Sequence, residues 1–366
     1  MNITAAVATE KGKPLTIEKL LLDEPRENEI LVKITAAGIC RTDVDVIDQF
    51  LPVPMPIVLG HEGAGIVEKV GKNVTKVKPG DHVILSVGSC GECEMCRKAL
   101  TPYCLTHMPR NFGGSRLDGS VCIHDDHGND IHSHFFSQSS HATYCIADQS
   151  SAVKVPKEAD LKYLAPFGCG IMTGAGAILN TLKPEAGTSI VIFGTGAVGL
   201  SALMSAVIAG CSMIIAVDIN EGRLALAKEM GATHTINSNK EPAVEIIKGL
   251  TNGRGAHYSF EASGVKKVMH TAMEVIREKG ICIITGLLPE GSQVEVDSFE
   301  LARGRTMMGS VMGDCNPDVF LPRLVRFFID GKFPVDKMMT FYPLKDINTA
   351  IKDGLIGDTI KAVLVM

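Results

Sequence analysis

The sequence predicts an α/β protein of two domains, a mostly antiparallel β domain followed by a doubly wound parallel sheet. Three observations carry that reading. The chain has 366 residues, more than one ordinary hydrophobic core accommodates. Through residue 170, short β-type runs alternate with Gly, Pro and Asn turns. From about residue 171, strand-like and helix-like segments alternate instead.

The elements follow in chain order. "ILVKITAAG" (30–38), "GAGIVEKVG" (63–71) and "DHVILSV" (81–87) read as strands, the last introduced by Pro79-Gly80. Residues 110–141 interrupt the rhythm with a polar, His- and Gly-containing excursion, the kind of long loop that builds a lobe or serves a function. Its tract "HDDHGNDIHSH" is read as a solvated loop in preference to a third metal site. Then come the strand "TSIVIF", the helix "GAVGLSALMSAVIAG", the strand "SMIIAVD" and the helix "NEGRLALAKEMGA". "AHYSFEAS", a helix over "GVKKVMHTAMEVIREKG" (264–280) and "ICIITGL" continue the alternation. From about 314 an amphipathic helix, "DVFLPRLVRFFIDG", and a final strand, "KAVLVM", are expected to pack back onto the first domain.

Bulk properties exclude several classes. Net charge is −5 and no basic run stands out, which argues against nucleic acid or an anionic membrane as partner. The apolar stretch 201–217 is split by Gly210 into a helix and a strand, so it reads as buried α/β structure. "MNITAAVATEKGK" lacks the pattern of a signal peptide, and a cytoplasmic protein is expected. In that compartment the eleven cysteines point to metal or catalysis, away from disulfides.

"IVIFGTGAVGLSAL" places Gly194, Gly196 and Gly199 between a strand and a helix, with Ala197 and Val198 opening the helix. The first glycine permits the turn, the second admits a pyrophosphate, and the third lets helix and strand pack closely. Asp218 ends the next strand, 19 residues after Gly199. A carboxylate there accepts from ribose hydroxyls and repels a 2′-phosphate, so NAD is predicted over NADP. The alternative is an unliganded glycine turn. Arg223, one turn into the following helix, is a candidate ribose contact or a solvated arginine.

Cys90, Cys93, Cys96 and Cys104 form a C-x2-C-x2-C-x7-C cluster. Four thiolates so close surround one zinc ion and leave no open position, the mark of a structural site. An iron–sulfur cluster is the alternative. Cys40, His61 and Cys169 are scattered, glycine-flanked and each preceded by an apolar run. Two thiolates and an imidazole leave a fourth position open on zinc. From spacing alone the other reading stands: a lone Cys is ordinarily a small buried hydrophobe.

"GHEGAGIVEKVGKNV" (60–74) matches the G-H-E-x2-G-x5-G-x2-V signature of the zinc-containing medium-chain alcohol dehydrogenases. The order of Cys40, His61-Glu62, four-cysteine cluster, Cys169 and glycine loop is also that family's. The resemblance covers essentially the whole chain. "FFSQSSHATY", "GCGIMTGAG" and "GKFPVDKMMTFYP" are most similar to the bacterial aryl-alcohol branch.

The resemblance implies a GroES-like catalytic domain over 1–170 and 314–366, with a zinc lobe at about 88–108, and a Rossmann NAD-binding domain over 171–313. It implies an active site in the cleft between them and a homodimer or homotetramer. Cys40, His61 and Cys169 would hold a catalytic zinc, the four-cysteine set a structural one. Glu62 would lie behind the metal, and Asp43 would hold the far nitrogen of His61. Thr42 would take the alcohol proton, Arg41 the coenzyme pyrophosphate, and Thr173 would lie against the nicotinamide. Phe135, Phe136, Leu287 and Val311 would line the alcohol pocket. The implied reaction is reversible oxidation of a primary, benzyl-type alcohol to its aldehyde, with hydride passed to NAD. Asp45 occupies the position where animal relatives carry a relay histidine. Either it completes the relay or the proton leaves through water.

Four other readings remain at this level. Polyol dehydrogenases generally replace the Cys169 ligand with glutamate. Glutathione-dependent formaldehyde oxidation and broad-range aliphatic or allylic terpenoid oxidation use the same frame. A zinc-stabilised dinucleotide-binding protein without catalysis is the non-enzyme alternative.

Overall fold

A computed structural model describes all 366 residues, which form two compact units: 1–169 with 315–329 and 335–366, and 170–314 with 330–334.

The first unit is built on two sheets. One orders Ile57–Val58, Asn2–Ala8, Thr16–Leu22, Ile123–His124 and Asp130–Ile131. The other orders Ala152–Val155, His82–Leu85, Glu62–Val70, Glu29–Gly38, Lys361–Val365 and Met339–Pro343, with Tyr144–Asp148 also paired to Glu29–Gly38. The period-2 alternation of Glu29–Gly38 makes it the hub. Leu31 joins the core shared with Ile3, Val7, Leu20 and Ile146. Ile30, Val32 and Ile34 face the opposite way onto Val67, Val83 and Leu85. Each such fully buried side chain contributes about 1.5–3 kcal/mol relative to exposure. The helix Pro317–Ile329 and the strand Lys361–Val365 belong to this unit, the strand pairing antiparallel with Glu29–Gly38.

The second unit carries one parallel sheet, ordered His234–Asn237, Met213–Asp218, Ser189–Phe193, Ala256–Glu261, Ile276–Ile284 and Thr306–Gly309. The order reverses between Ser189–Phe193 and Ala256–Glu261, which opens a crevice at their carboxyl ends. Val191, Phe193, Ile215, Val217 and Ile247 fill one side of the sheet.

One element differs from expectation. The helix expected over 264–280 ends at Glu274, and "IREKG" instead opens the strand Ile276–Ile284. Two β-branched residues, Val275 and Ile276, are fully buried there, and Lys279 bends the strand with φ 62°. No helix of the protein is long and apolar enough to cross a membrane.

Candidate active site

In the first unit, three chain segments converge behind the hub strand. Cys40 is the N-cap of the short helix Arg41–Ile47, His61 precedes the strand Glu62–Val70, and Cys169 follows a turn of 3-10 helix. One donor atom each from Cys40, His61, Glu62 and Cys169 lies within 4.8 Å of all the others. Asp43 fastens two of these segments. Its Oδ2 accepts from the Cys40 N–H at 2.9 Å, and its Oδ1 accepts from the Gly60 N–H at 3.2 Å and meets His61 Nδ1 at 3.1 Å. The Thr42 hydroxyl stands 3.7 Å from Cys40 Sγ.

The cluster is electrically unusual for a protein interior. The hydrogen bond between Cys40 and Cys169 holds the Cys40 thiol well below the ordinary range and the Cys169 thiol well above it. Burial disfavours charge on His61 and Asp43 alike. The charges of Asp43 and Cys40 nevertheless hold the His61 imidazole well above its usual range, and those of His61 and His141 hold the Asp43 carboxyl down. His61 Nε2 is buried without a hydrogen-bond partner, which is costly unless something else satisfies it. A soft S2N donor set with anionic character and an unsatisfied imidazole nitrogen fits zinc.

Two residues at this cluster escaped the sequence reading. Lys361 Nζ lies 2.5 Å from Glu62 Oε2 and donates to the Ile39 carbonyl at 2.9 Å, with its side chain 4% exposed. Burial pulls Lys361 towards neutrality, but Glu62 and Cys40 outweigh it and keep it charged. His141 is fully buried beside Gly60 and Gly38. Nothing local marks either one; a lysine opening an apolar strand and a histidine in a polar loop both look ordinary.

Phe135 and Phe136 sit against His61, but not as an exposed lining. They are 0% and 5% exposed; Phe136 stacks on the imidazole at 4.4 Å and Phe135 meets its edge at 5.3 Å. Both rings therefore brace the His61 imidazole. Burial raises the Asp45 carboxyl above its usual range. It is 7% exposed and its Oδ1 accepts from Arg41 Nε at 2.8 Å, leaving the rest of the guanidinium exposed.

The four-cysteine cluster lies in the same unit, around the one-turn helix Glu94–Arg97. All four thiols are free. Sulfur–sulfur distances of 3.5 Å for Cys90–Cys104, 3.9 Å for Cys90–Cys96 and 4.0 Å for Cys93–Cys104 bracket the tetrahedral edge of about 3.8 Å set by Zn–S bonds of about 2.3 Å. A polynuclear iron cluster would hold its ligand sulfurs farther apart. Backbone N–H groups near Leu105 and Cys96 bring the Cys93 thiol down to about 6, so it ionises readily.

In the second unit, Gly194 (φ +86°) makes the turn after Ser189–Phe193, and a Cβ on Gly199 would lie 1.8 Å from the Gly194 carbonyl. A Cβ on Gly196 would meet nothing within 4 Å, so backbone there is open to a ligand at the start of the helix Ala197–Ile208. These features fit a dinucleotide. Asp218 ends the neighbouring strand, but its four acceptor positions are already engaged. Thr195 N–H and Oγ donate to Oδ2, and the Ile219 and Asn220 N–H groups donate to Oδ1. A ribose hydroxyl would have to displace the Thr195 hydroxyl. Arg223 Nε is buried without a partner, Thr173 is half-buried on the helix Gly170–Gly176, and Leu287 and Val311 are exposed.

Comparison with known proteins agrees with this chemistry. Residues 26–157 match the alcohol dehydrogenase GroES-like domain, and residues 197–329 match the zinc-binding dehydrogenase family. A geraniol dehydrogenase of Castellaniella defragrans is 41% identical over 368 residues, covering 100% of this chain and 98% of that protein. The crystal structure of an alcohol dehydrogenase zinc-binding domain protein from Burkholderia ambifaria superposes with a TM-score of 0.98 at 46% identity, covering 100% of this chain and 99% of that one. That of benzyl alcohol dehydrogenase from Acinetobacter calcoaceticus gives 0.97 at 41%, with the same coverage. The chain belongs to the zinc-binding alcohol dehydrogenase family, with a GroES-like domain and a Rossmann domain.

Proposed function

We propose that this protein oxidises primary alcohols whose carbinol carbon is bonded to an aromatic or alkene carbon, with NAD as hydride acceptor. The observation that carries the reading is the convergence of Cys40, His61 and Cys169, with the buried His61 Nε2 unsatisfied. Two relatives at 41% identity are named for benzyl alcohol and geraniol, which share that carbinol type.

Cys40, His61 and Cys169 would hold a zinc ion that supplies Lewis acidity for deprotonating an alcohol near neutral pH. Asp43 fixes the imidazole so that Nε2 is presented. Lys361 balances the charge of Glu62. Thr42 passes the hydroxyl proton onward to water. Asp45, committed to Arg41, does not take that proton. Arg41 and the glycine loop bind the coenzyme phosphates, Thr173 the nicotinamide, and Cys90, Cys93, Cys96 and Cys104 hold a second, structural zinc. The negative charge of Asp218, already braced by Thr195 and the following N–H groups, disfavours a 2′-phosphate.

The test is NADH formation at 340 nm on zinc-loaded protein. Benzyl alcohol and geraniol are each compared with ethanol, and NAD with NADP. A kcat/KM for either unsaturated alcohol no greater than for ethanol would sink the substrate reading, and preference for NADP would sink the coenzyme reading.

A further inference from the structure

We infer that Gln138 is a positioning residue for the candidate zinc site, one that fixes the backbone of His61 relative to that of Cys169; this rests on the zinc reading above. Gln138 is 1% exposed. Its Oε1 accepts from the Gly63 N–H at 3.1 Å, and its Nε2 donates to the His61 carbonyl at 3.0 Å and to the Ser86 carbonyl at 3.2 Å. Both amide hydrogens are thus committed, one to His61 and one to Ser86. Ser86, itself fully buried, continues the line: its Oγ donates to the Gly168 carbonyl at 2.7 Å, one residue before Cys169. The path His61–Gln138–Ser86–Gly168–Cys169 complements the Asp43 bracket, which ties Cys40 to His61. With both in place, all three donor residues are tied to one another through side-chain hydrogen bonds.

The backbone around Gln138 reinforces the inference. His134, Phe136, Ser137 and Ser139 have φ of 61°, 52°, 58° and 67°, the left-handed region that residues with a Cβ seldom occupy. Such conformations persist only where the surroundings over-determine them. Here Ser139 Oγ donates to the Val58 carbonyl at 2.7 Å and accepts from the Phe135 N–H at 3.1 Å. The Ser140 N–H donates to the Gly60 carbonyl at 2.9 Å. An extended or helical course through 134–139 would not deliver two aromatic rings to His61 and an amide to its carbonyl together. A glutamine merely filling the core would need none of this.

Metal sites lose about 10- to 100-fold in affinity when the groups orienting their ligands are removed. Gln138→Met keeps the volume and deletes the three hydrogen bonds. Ser86→Ala deletes only the last link and serves if the first variant does not fold. The experiment follows zinc transfer to a chelating dye from wild-type and variant protein, with cobalt-substituted samples read by visible absorption. We expect release from the Cys40–His61–Cys169 site to accelerate about 10- to 100-fold in Gln138→Met and less in Ser86→Ala. The four-cysteine ion should keep its wild-type rate, and the cobalt–thiolate band should shift. Unchanged release and spectrum in folded variants would overturn the inference. So would equal acceleration at both sites, the sign of general loosening. A wild-type chain that releases only the four-cysteine ion would instead sink the zinc reading beneath it.

Discussion

Lys361 reaches Glu62 at 2.5 Å in an environment where both side chains are almost fully hidden from water, 4% and 0% exposed. Removing one partner of such a pair leaves an uncompensated buried charge, a loss of about 3–5 kcal/mol. Lys361→Met is therefore expected to lower the unfolding midpoint substantially in a denaturant titration. Lys361→Met with Glu62→Gln should recover much of the loss. A double variant no more stable than the single one would show that the pair is not what holds the site.

Glu29, Arg116 and His134 form a second buried charge cluster. Arg116 Nε donates to Glu29 Oε1 at 2.6 Å and Nη2 to Oε2 at 3.0 Å, and His134 Nε2 stands 3.3 Å from Oε1. Burial would raise Glu29, but the bonds from His134 and Arg116 hold it down at about 2. Burial would lower His134, but Cys122 and Glu29 push it up to about 9. The signs give two limbs. Glu29 is depressed when folded, so its stabilisation is present above its unfolded value near 4.5 and fades as pH falls towards about 2. His134 is raised, so its stabilisation is full below about 6.5 and fades as pH rises through about 9. A melting-temperature profile against pH should fall on both sides, and Glu29→Gln should flatten the acid limb. An acid limb unchanged in that variant would assign it to other groups.

Thr42 is expected to be the hydroxyl that accepts the substrate proton. Thr42→Ala should lower kcat by about 10²-fold or more, with Thr42→Ser retaining most activity. Equal activity in Thr42→Ala and wild type would remove it from the proton path.

Asp45 holds Arg41 at 2.8 Å, and the proton is expected to leave through water. The kcat of Asp45→Asn should follow the wild-type pH profile between pH 6 and 10. A new dependence on buffer concentration, or a lost ionisation in the profile, would restore Asp45 as a relay base.

Cys93→Ser should cost one zinc ion per chain by metal analysis and lower the melting temperature while the other ion is retained. Loss of both ions together would mean that the two sites are not independent.

What was legible in the sequence was local. The glycine spacing 194–199 follows from a tight turn and a close approach, and four sulfurs within 15 residues announce a metal. His61 was only a weak candidate from its glycine-flanked, strand-end context, because a single histidine carries no period; the resemblance of its surroundings sharpened it. Lys361, His141 and Gln138 were hidden for a different reason. Each acts on a residue far away in the chain, through contacts that leave no spacing pattern. Phe135 and Phe136 are assigned to the alcohol pocket through the resemblance alone; their packing on His61 depends on left-handed turns that have no sequence signal outside glycine. The helix end at Glu274 was missed because "IREKG" is polar enough to continue a helix and becomes a strand only by pairing with Ala256–Glu261.

The return of the strand Lys361–Val365 to the Glu29–Gly38 hub has a consequence for biosynthesis. Lys361 bonds to the carbonyl of Ile39 across 322 residues of chain, and the whole second unit lies between them. During translation, Glu62 and the paired thiols emerge long before their counter-charge, whereas the Rossmann sheet is drawn from one nearly continuous stretch. The order of completion is thus the reverse of the order of emergence. The intervening unit can close while the earlier one, with all four donors already made, still lacks the Lys361 charge that balances Glu62.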